Sequence, residues 1–211
     1  MSINRIALRS LTAAAAVLAL ASSNASFAQE QWSLAKDSDG VKVYVRDVPN
    51  SRLREFRGEV DLKVSPDRVV KVLQDAGSFR KWMPDVVTSD LLKATDKEQF
   101  HYLENAAPWP VAHRDGVYHF TYTRSDDAAP VTTVRVEAVP DYVPAREGKV
   151  RIPKAEGYWK LVPTSSGVSV SYQMHADPGG SIPSWLANQT VVDTPFKTLK
   201  ALRDYVQAAG Q

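Results

Sequence analysis

The segment from Val168 to the C-terminus constrains the fold most. It reads V-S-V-S-Y-Q-M-H-A from Val168, so that Val168, Val170, Tyr172, Met174 and Ala176 share one face and Ser169, Ser171, Gln173 and His175 the other. A period of two predicts a half-buried strand. Asp177-Pro178-Gly179-Gly180 cannot prolong that strand. Ser181 is expected to cap a helix, with Pro183 in its first turn, where a missing N–H costs nothing. Trp185, Leu186, Val192, Phe196, Leu199, Leu202 and Val206 then recur at helical spacing. A long helix with one apolar face needs a broad apolar surface to lie on. Pro195 falls inside the pattern and predicts a kink, which either marks an opening point or follows the curve of a sheet.

Upstream, Val41, Val43 and Val45 alternate with polar neighbours, and a second strand is expected over Leu53–Leu62. Ser65-Pro66 starts a helix carrying Val69, Val70, Leu73 and Ala76, which Gly77 ends, and Trp82 follows in a connecting loop. Paired strands are expected over 86–94 and 98–105, 114–124 and 131–139, and 150–162 and 168–176. Many antiparallel strands closed by one terminal helix belong to the α+β class. The loop from Pro140 to Lys149 is either a flap or a long hairpin connection.

The amino terminus stands apart. Arg5 and Arg9 precede an Ala- and Leu-rich run from Leu11 to Ala21, and Ser26-Phe27-Ala28 has the small-x-small form of a cleavage site. Residues 1–28 are expected to be a secretory signal peptide cut after Ala28, and the product to be periplasmic. Residues 29–211 then form one domain, whose start Trp32 is expected to pin. The chain has 26 Lys and Arg against 24 Asp and Glu, and the excess lies in the leader. A neutral mature chain lacks the electrostatic footprint of a nucleic-acid binder. The absence of cysteine excludes thiolate catalysis and Cys-ligated metals.

Three segments carry a family resemblance. DPGGSIPSWLAN (residues 177–188) resembles the strand-to-helix corner of START domains, a lipid-transfer family that includes exported bacterial members. PWPVAHRD (residues 108–115) is similar to its Pro-aromatic-Pro…Arg-Asp motif, and VRIPKAEGYWKLVP (residues 150–163) to its penultimate-strand region. They occur in the family's order. The resemblance implies a helix-grip fold, a curved antiparallel sheet around a long C-terminal helix with an internal cavity. It also implies binding of a lipid or other hydrophobic molecule, and places Arg114 near the lipid's polar end.

The residues themselves give the candidate site. In a regular strand Arg114 shares a face with Gly116, Tyr118, Phe120 and Tyr122, which should point inward. A buried guanidinium must be paired, either with Asp115, Glu104 or another carboxylate, or with a ligand headgroup. Trp82, Tyr102, Tyr118, Phe120, Trp159, Tyr172, Met174, Trp185 and Phe196 are the further lining candidates, as cavity wall, cation cage or ordinary core. His101 and Glu104 could form an acid–base set. The four histidines lack metal-site spacing, and no cofactor motif is present. The expected activity is non-enzymatic transfer of a lipid by a monomer in transient contact with membranes. The alternatives are a helix-grip enzyme of the polyketide cyclase or hydratase type, and a sensing module.

Overall fold

The computed structural model describes residues 31–208, so the leader and its cleavage site lie outside the described residues. Its elements are β1 (Ser33–Ser38), β2 (Val41–Arg46), β3 (Glu55–Leu62), α1 (Pro66–Gln74), a 3-10 turn (Ala76–Ser78), α2 (Phe79–Trp82) and β4 (Val86–Ala94). They continue with β5 (Glu98–Asn105), β6 (Arg114–Arg124), β7 (Thr132–Ala138), β8 (Val150–Arg151), β9 (Lys154–Thr164), β10 (Gly167–Asp177) and α3 (Ser184–Ala208). The strands form one sheet in the order β1-β2-β3-β10-β9-β7-β6-β5-β4. All neighbours are antiparallel except β8, which lies parallel to β6. This is the helix-grip arrangement of the α+β class.

Local chemistry explains the boundaries. Ser65 caps α1, its hydroxyl accepting the Arg68 N–H at 3.3 Å, and Pro66 takes the first helical position. The strand expected over 150–162 is broken at Ile152-Pro153. Proline has no N–H to give a sheet ladder, so the chain leaves β6 after Arg151 and begins β9 at Lys154. The edge strand β1 carries no apolar alternation, because almost all of its residues are exposed. Trp82 ends a short helix rather than sitting in a loop, and donates its indole N–H to Ser78 Oγ at 3.3 Å. Trp32 lies against two guanidinium groups, those of Arg46 and Arg57, at 4.6 and 4.9 Å from its ring.

The terminal helix packs unevenly. Its buried residues are Pro195, Thr198, Leu199, Leu202 and Val206, all from the middle of the helix onward. There it lies against β2 and β3. Gly58 of β3 makes that approach possible, since a Cβ there would fall 2.6 Å from Leu199 Cδ1. In the N-terminal half Leu186, Ala187, Val191 and Val192 are only partly covered. Pro195 withholds the N–H that would bond the Val191 carbonyl, at the boundary between the two halves.

Gly58→Val should lower the unfolding free energy by about 1–3 kcal/mol through overpacking against Leu199. Adding Leu199→Ala should cost less in that background than in the wild type. Chemical denaturation of the four proteins measures the coupling, and simple additivity would place the helix elsewhere.

Candidate lipid-binding site

Strand β6 sends two adjacent charges to opposite faces. Its register with β5 runs unbroken from Arg114↔Asn105 to Thr121↔Glu98, so no bulge at Gly116 disturbs the alternation. Asp115 therefore faces away from the helices. There it accepts two bonds from Arg151, at 3.0 Å from Nε and 3.0 Å from Nη2, and a third from the Tyr102 hydroxyl at 3.1 Å. Arg151 in turn donates to the carbonyls of Pro140, Val143 and Pro144. Arg146 covers the Tyr102 ring, 3.6 Å from its centroid, and Tyr142 stacks on Phe100 at 4.4 Å. The 140–149 loop is thus fastened to the outer face. Burial pushes the Tyr102 phenol up to about 12, helped by the Asp115 charge.

Arg114 faces inward and is only 7% exposed. Its donors go to backbone carbonyls alone: Ala112, Pro178 at 3.4 Å and Gly179 at 3.5 Å. Among the described residues no carboxylate lies within ion-pair distance of it. Desolvation lowers its pKa, though a guanidinium stays protonated at neutral pH. The Asp177–Gly180 corner lies directly over it. Gly179 and Gly180 both have φ near +68°, a region costly for other residues. Beyond that corner opens a groove of about 500 Å³ lined by Arg52, Leu53, Ile182, Pro183, Ser184 and Trp185, among others. That volume is within the range of small-molecule sites. A second groove of about 390 Å³ lies between the 107–113 loop and Gly148-Lys149.

Further in, the face carries Tyr118, Phe120, Trp159, Tyr172 and Met174. Trp159 and Tyr172 are cross-strand partners with parallel rings 3.9 Å apart, and Phe56 meets Tyr172 edge-on at 5.1 Å. The next row toward Arg114 is made of small side chains. Tyr118 pairs with Ala138, and Ala155 with Ala176. These alanines pack against the core cluster, as Leu199 does further along the sheet.

Six of the ten lining candidates therefore meet on the inner face: Arg114, Tyr118, Phe120, Trp159, Tyr172 and Met174. Tyr102 lies on the other face, because it is one residue out of phase with His101. Trp82 is buried at the far end against Phe79 and Tyr205. Trp185 is 63% exposed at the start of α3. Phe196 faces β1, with the Lys36 ammonium 3.9 Å from its ring centroid. His101 and Glu104 fall on opposite faces. Glu104 accepts from His113 at 2.9 Å, Lys149 at 2.5 Å and Thr88 at 3.2 Å on the outer side. Lys149 and His113, with burial opposing, hold the Glu104 carboxyl below its usual range.

Sequence reasoning missed Asn188. It ties the loose half of α3 to the segment before β3. The Arg54 N–H donates to Asn188 Oδ1 at 2.9 Å, and Asn188 Nδ2 to the Arg52 carbonyl at 3.0 Å. The Arg54 guanidinium also donates to the Asn188 carbonyl at 2.9 Å. No periodicity signals such a tie, since it depends on which loop the helix meets.

Residues 54–206 match the family described as polyketide cyclase/dehydrase and lipid transport. A STAR-related lipid transfer protein from Xanthomonas axonopodis, solved as fragment 25–204, is 70% identical, with a TM-score of 0.80. The match covers 83% of this chain and 98% of that one. An uncharacterized protein of Pseudomonas aeruginosa is 43% identical over 82% of this chain and 86% of its own length. The phosphatidylcholine transfer protein of Mus musculus is 28% identical over 74% of this chain and 75% of that protein.

His101 makes the inner face pH-sensitive. It is fully buried, stacked on Phe120 at 4.3 Å and bonded through Nε2 to Gln99 at 2.9 Å, while Nδ1 has no partner. Burial lowers its pKa from 6.5 to about 4. The unfolded chain then binds the extra proton between those values. Stability should hold above about pH 6.5, fall on acidification, and level near pH 4, losing up to roughly 3 kcal/mol through this group. His101→Phe should lack this component. Identical pH profiles for the two proteins in urea unfolding would show the imidazole to be charged inside.

Proposed function

Because the chain belongs to the polyketide cyclase/dehydrase and lipid transport family, we propose that it is a non-enzymatic carrier. It holds one lipid or similar hydrophobic molecule between the sheet and the loose half of α3. The observation that carries this reading is Arg114. A covered guanidinium at the start of β6, facing inward, bonded only to carbonyls and close to a groove, is suited to a phosphate or carboxylate headgroup. Aromatic and aliphatic side chains beyond it take the tail.

The energetics favour such a device. Each buried methylene contributes about 0.8 kcal/mol, so a sixteen-carbon tail gains on the order of 12 kcal/mol in an apolar site. Escape of that tail into water is correspondingly slow. A closed protein cavity bypasses the barrier if it opens at a membrane. Trp109, 93% exposed, and Trp185 border the two grooves. Tryptophan suits the membrane interface, which supports transient docking by this end. The expected leader supports export and a periplasmic place of work. His101 and Glu104, on opposite faces, cannot form a single acid–base pair, which favours a carrier over a cyclase.

The loose half of α3 is the proposed gate. It is held by Asn188, by the exposed Lys36–Asp193 pair at 3.1 Å and by Val191 and Val192, which are only partly buried against the core.

Arg114→Gln should reduce uptake of phosphatidylglycerol from vesicles about tenfold, and of diacylglycerol far less, by mass spectrometry of the loaded protein. Equal losses for both lipids would reject the headgroup role. Asn188→Ala should speed lipid transfer between vesicles about fivefold, the worth of roughly 1 kcal/mol of latch. A disulfide between cysteines introduced at Arg54 and Asn188 should slow transfer until reduced. Unchanged rates in both would move the gate elsewhere.

A further inference from the structure

Arg114, Gly116 and Tyr118 occupy alternate positions on the inner face of β6. A Cβ on Gly116 would lie 2.9 Å from Cε2 and Cζ of Tyr118 and 3.0 Å from its hydroxyl oxygen. The phenol therefore lies back along its own strand, over Gly116 and toward Arg114. One step of two residues along a strand is roughly 7 Å. The hydroxyl thus lies above Gly116, whose backbone is one such step along β6 from that of Arg114, while Ala138 pairs with the Tyr118 backbone itself.

This hydroxyl has no hydrogen-bond partner among the described residues, although Tyr118 is only 8% exposed. The same holds for Tyr172. The side-chain polar atoms that are both sealed and unpaired are Arg57 Nε and His101 Nδ1. The two phenol oxygens are not among them, so each keeps some accessible surface from which it can be reached. Desolvation raises both phenols far above neutrality, and the Tyr172 charge would raise Tyr118 further. They are neutral O–H groups at any physiological pH, each with a proton to donate. The faces of Trp159 and Tyr172 cover one another, which leaves these rings poorly placed to cage a cation.

We propose that Tyr118, backed by Tyr172, forms a second polar subsite that donates a hydrogen bond to an uncharged carbonyl oxygen of the guest. It rests on the carrier reading and deepens it. The guest is then an amphiphile with an anionic or phosphate head at Arg114 and an acyl ester or ketone oxygen one step below. A plain hydrocarbon tail at that depth leaves both hydroxyls unpaired, and the site discriminates against it. Gly116 is the positioning residue, because any side chain there displaces the phenol.

The test compares dipalmitoyl phosphatidylglycerol with its di-O-hexadecyl ether analogue. The two share head, charge and tail length, but the ether lacks the carbonyls. Uptake from vesicles by the full chain is read by mass spectrometry, with circular dichroism confirming each fold. Wild type should prefer the diester about tenfold. Tyr118→Phe should bring the diester down to the ether's level and leave the ether unchanged. Tyr172→Phe should give a smaller loss in the same direction. Should Tyr118→Phe fold poorly, Gly116→Ala tests the same point, since it displaces the hydroxyl without removing it. Equal uptake of the two lipids by wild type, or equal loss of both in a folded Tyr118→Phe protein, overturns the carbonyl subsite alone. Uptake of neither lipid by wild type overturns the carrier reading with it.

Discussion

Asp115 gives both of its carboxylate oxygens to Arg151, which reaches it from β8 on the outer face of the sheet. Losing one partner of a buried ion pair typically costs 3–5 kcal/mol, because the other charge is stranded. The arrangement has two consequences. Arg151 uses its remaining donors to fasten the Pro140–Pro144 carbonyls, so the long loop becomes part of the outer wall. Arg114, next in sequence to Asp115, is left without an acid and turns inward toward carbonyls. Strand alternation puts Arg114 and Asp115 on opposite faces, and Arg151 satisfies the acid on the outer one.

The same economy governs the helix. Where β3 presents Gly58, α3 settles directly on the sheet and Leu199, Leu202 and Val206 are sealed. Toward its N-terminus the helix is half-covered and tied by Asn188 to the segment before β3 and by Asp193 to Lys36 of β1. Packed apolar area sets one half firmly, and the other is held by partly buried valines and by hydrogen bonds worth about 1 kcal/mol each. The less buried half of the helix starts beside Trp185 and the groove behind the Asp177–Gly180 corner.

Much of this was legible in the chain. The alternation of β10 and the spacing of α3 fixed a strand and a helix joined at Gly179-Gly180. The inward face of β6 was readable because its register has no bulge. Other features were not. β1 is an exposed edge strand, so no hydrophobic period marks it. Pro153 divides a segment whose apolar pattern looks continuous. Tyr102 looked like a wall residue by type, but its phase puts it beside Asp115 on the other face. Phe196 has the helical spacing of a core residue, yet its ring meets Lys36 of the neighbouring edge strand.

By itself the sequence determined most elements, the α+β class, the cysteine-free composition and the inward direction of Arg114, because periodicity and turn chemistry are local properties. Only the tertiary structure decided which charges are satisfied. Arg151 lies 36 residues from Asp115, and Pro178 lies 64 residues from Arg114. Pairings of that span follow from strand order and from the way the chain doubles back. No spacing along the chain encodes them, and they settle which charged groups of β6 meet an acid and which meet only carbonyls.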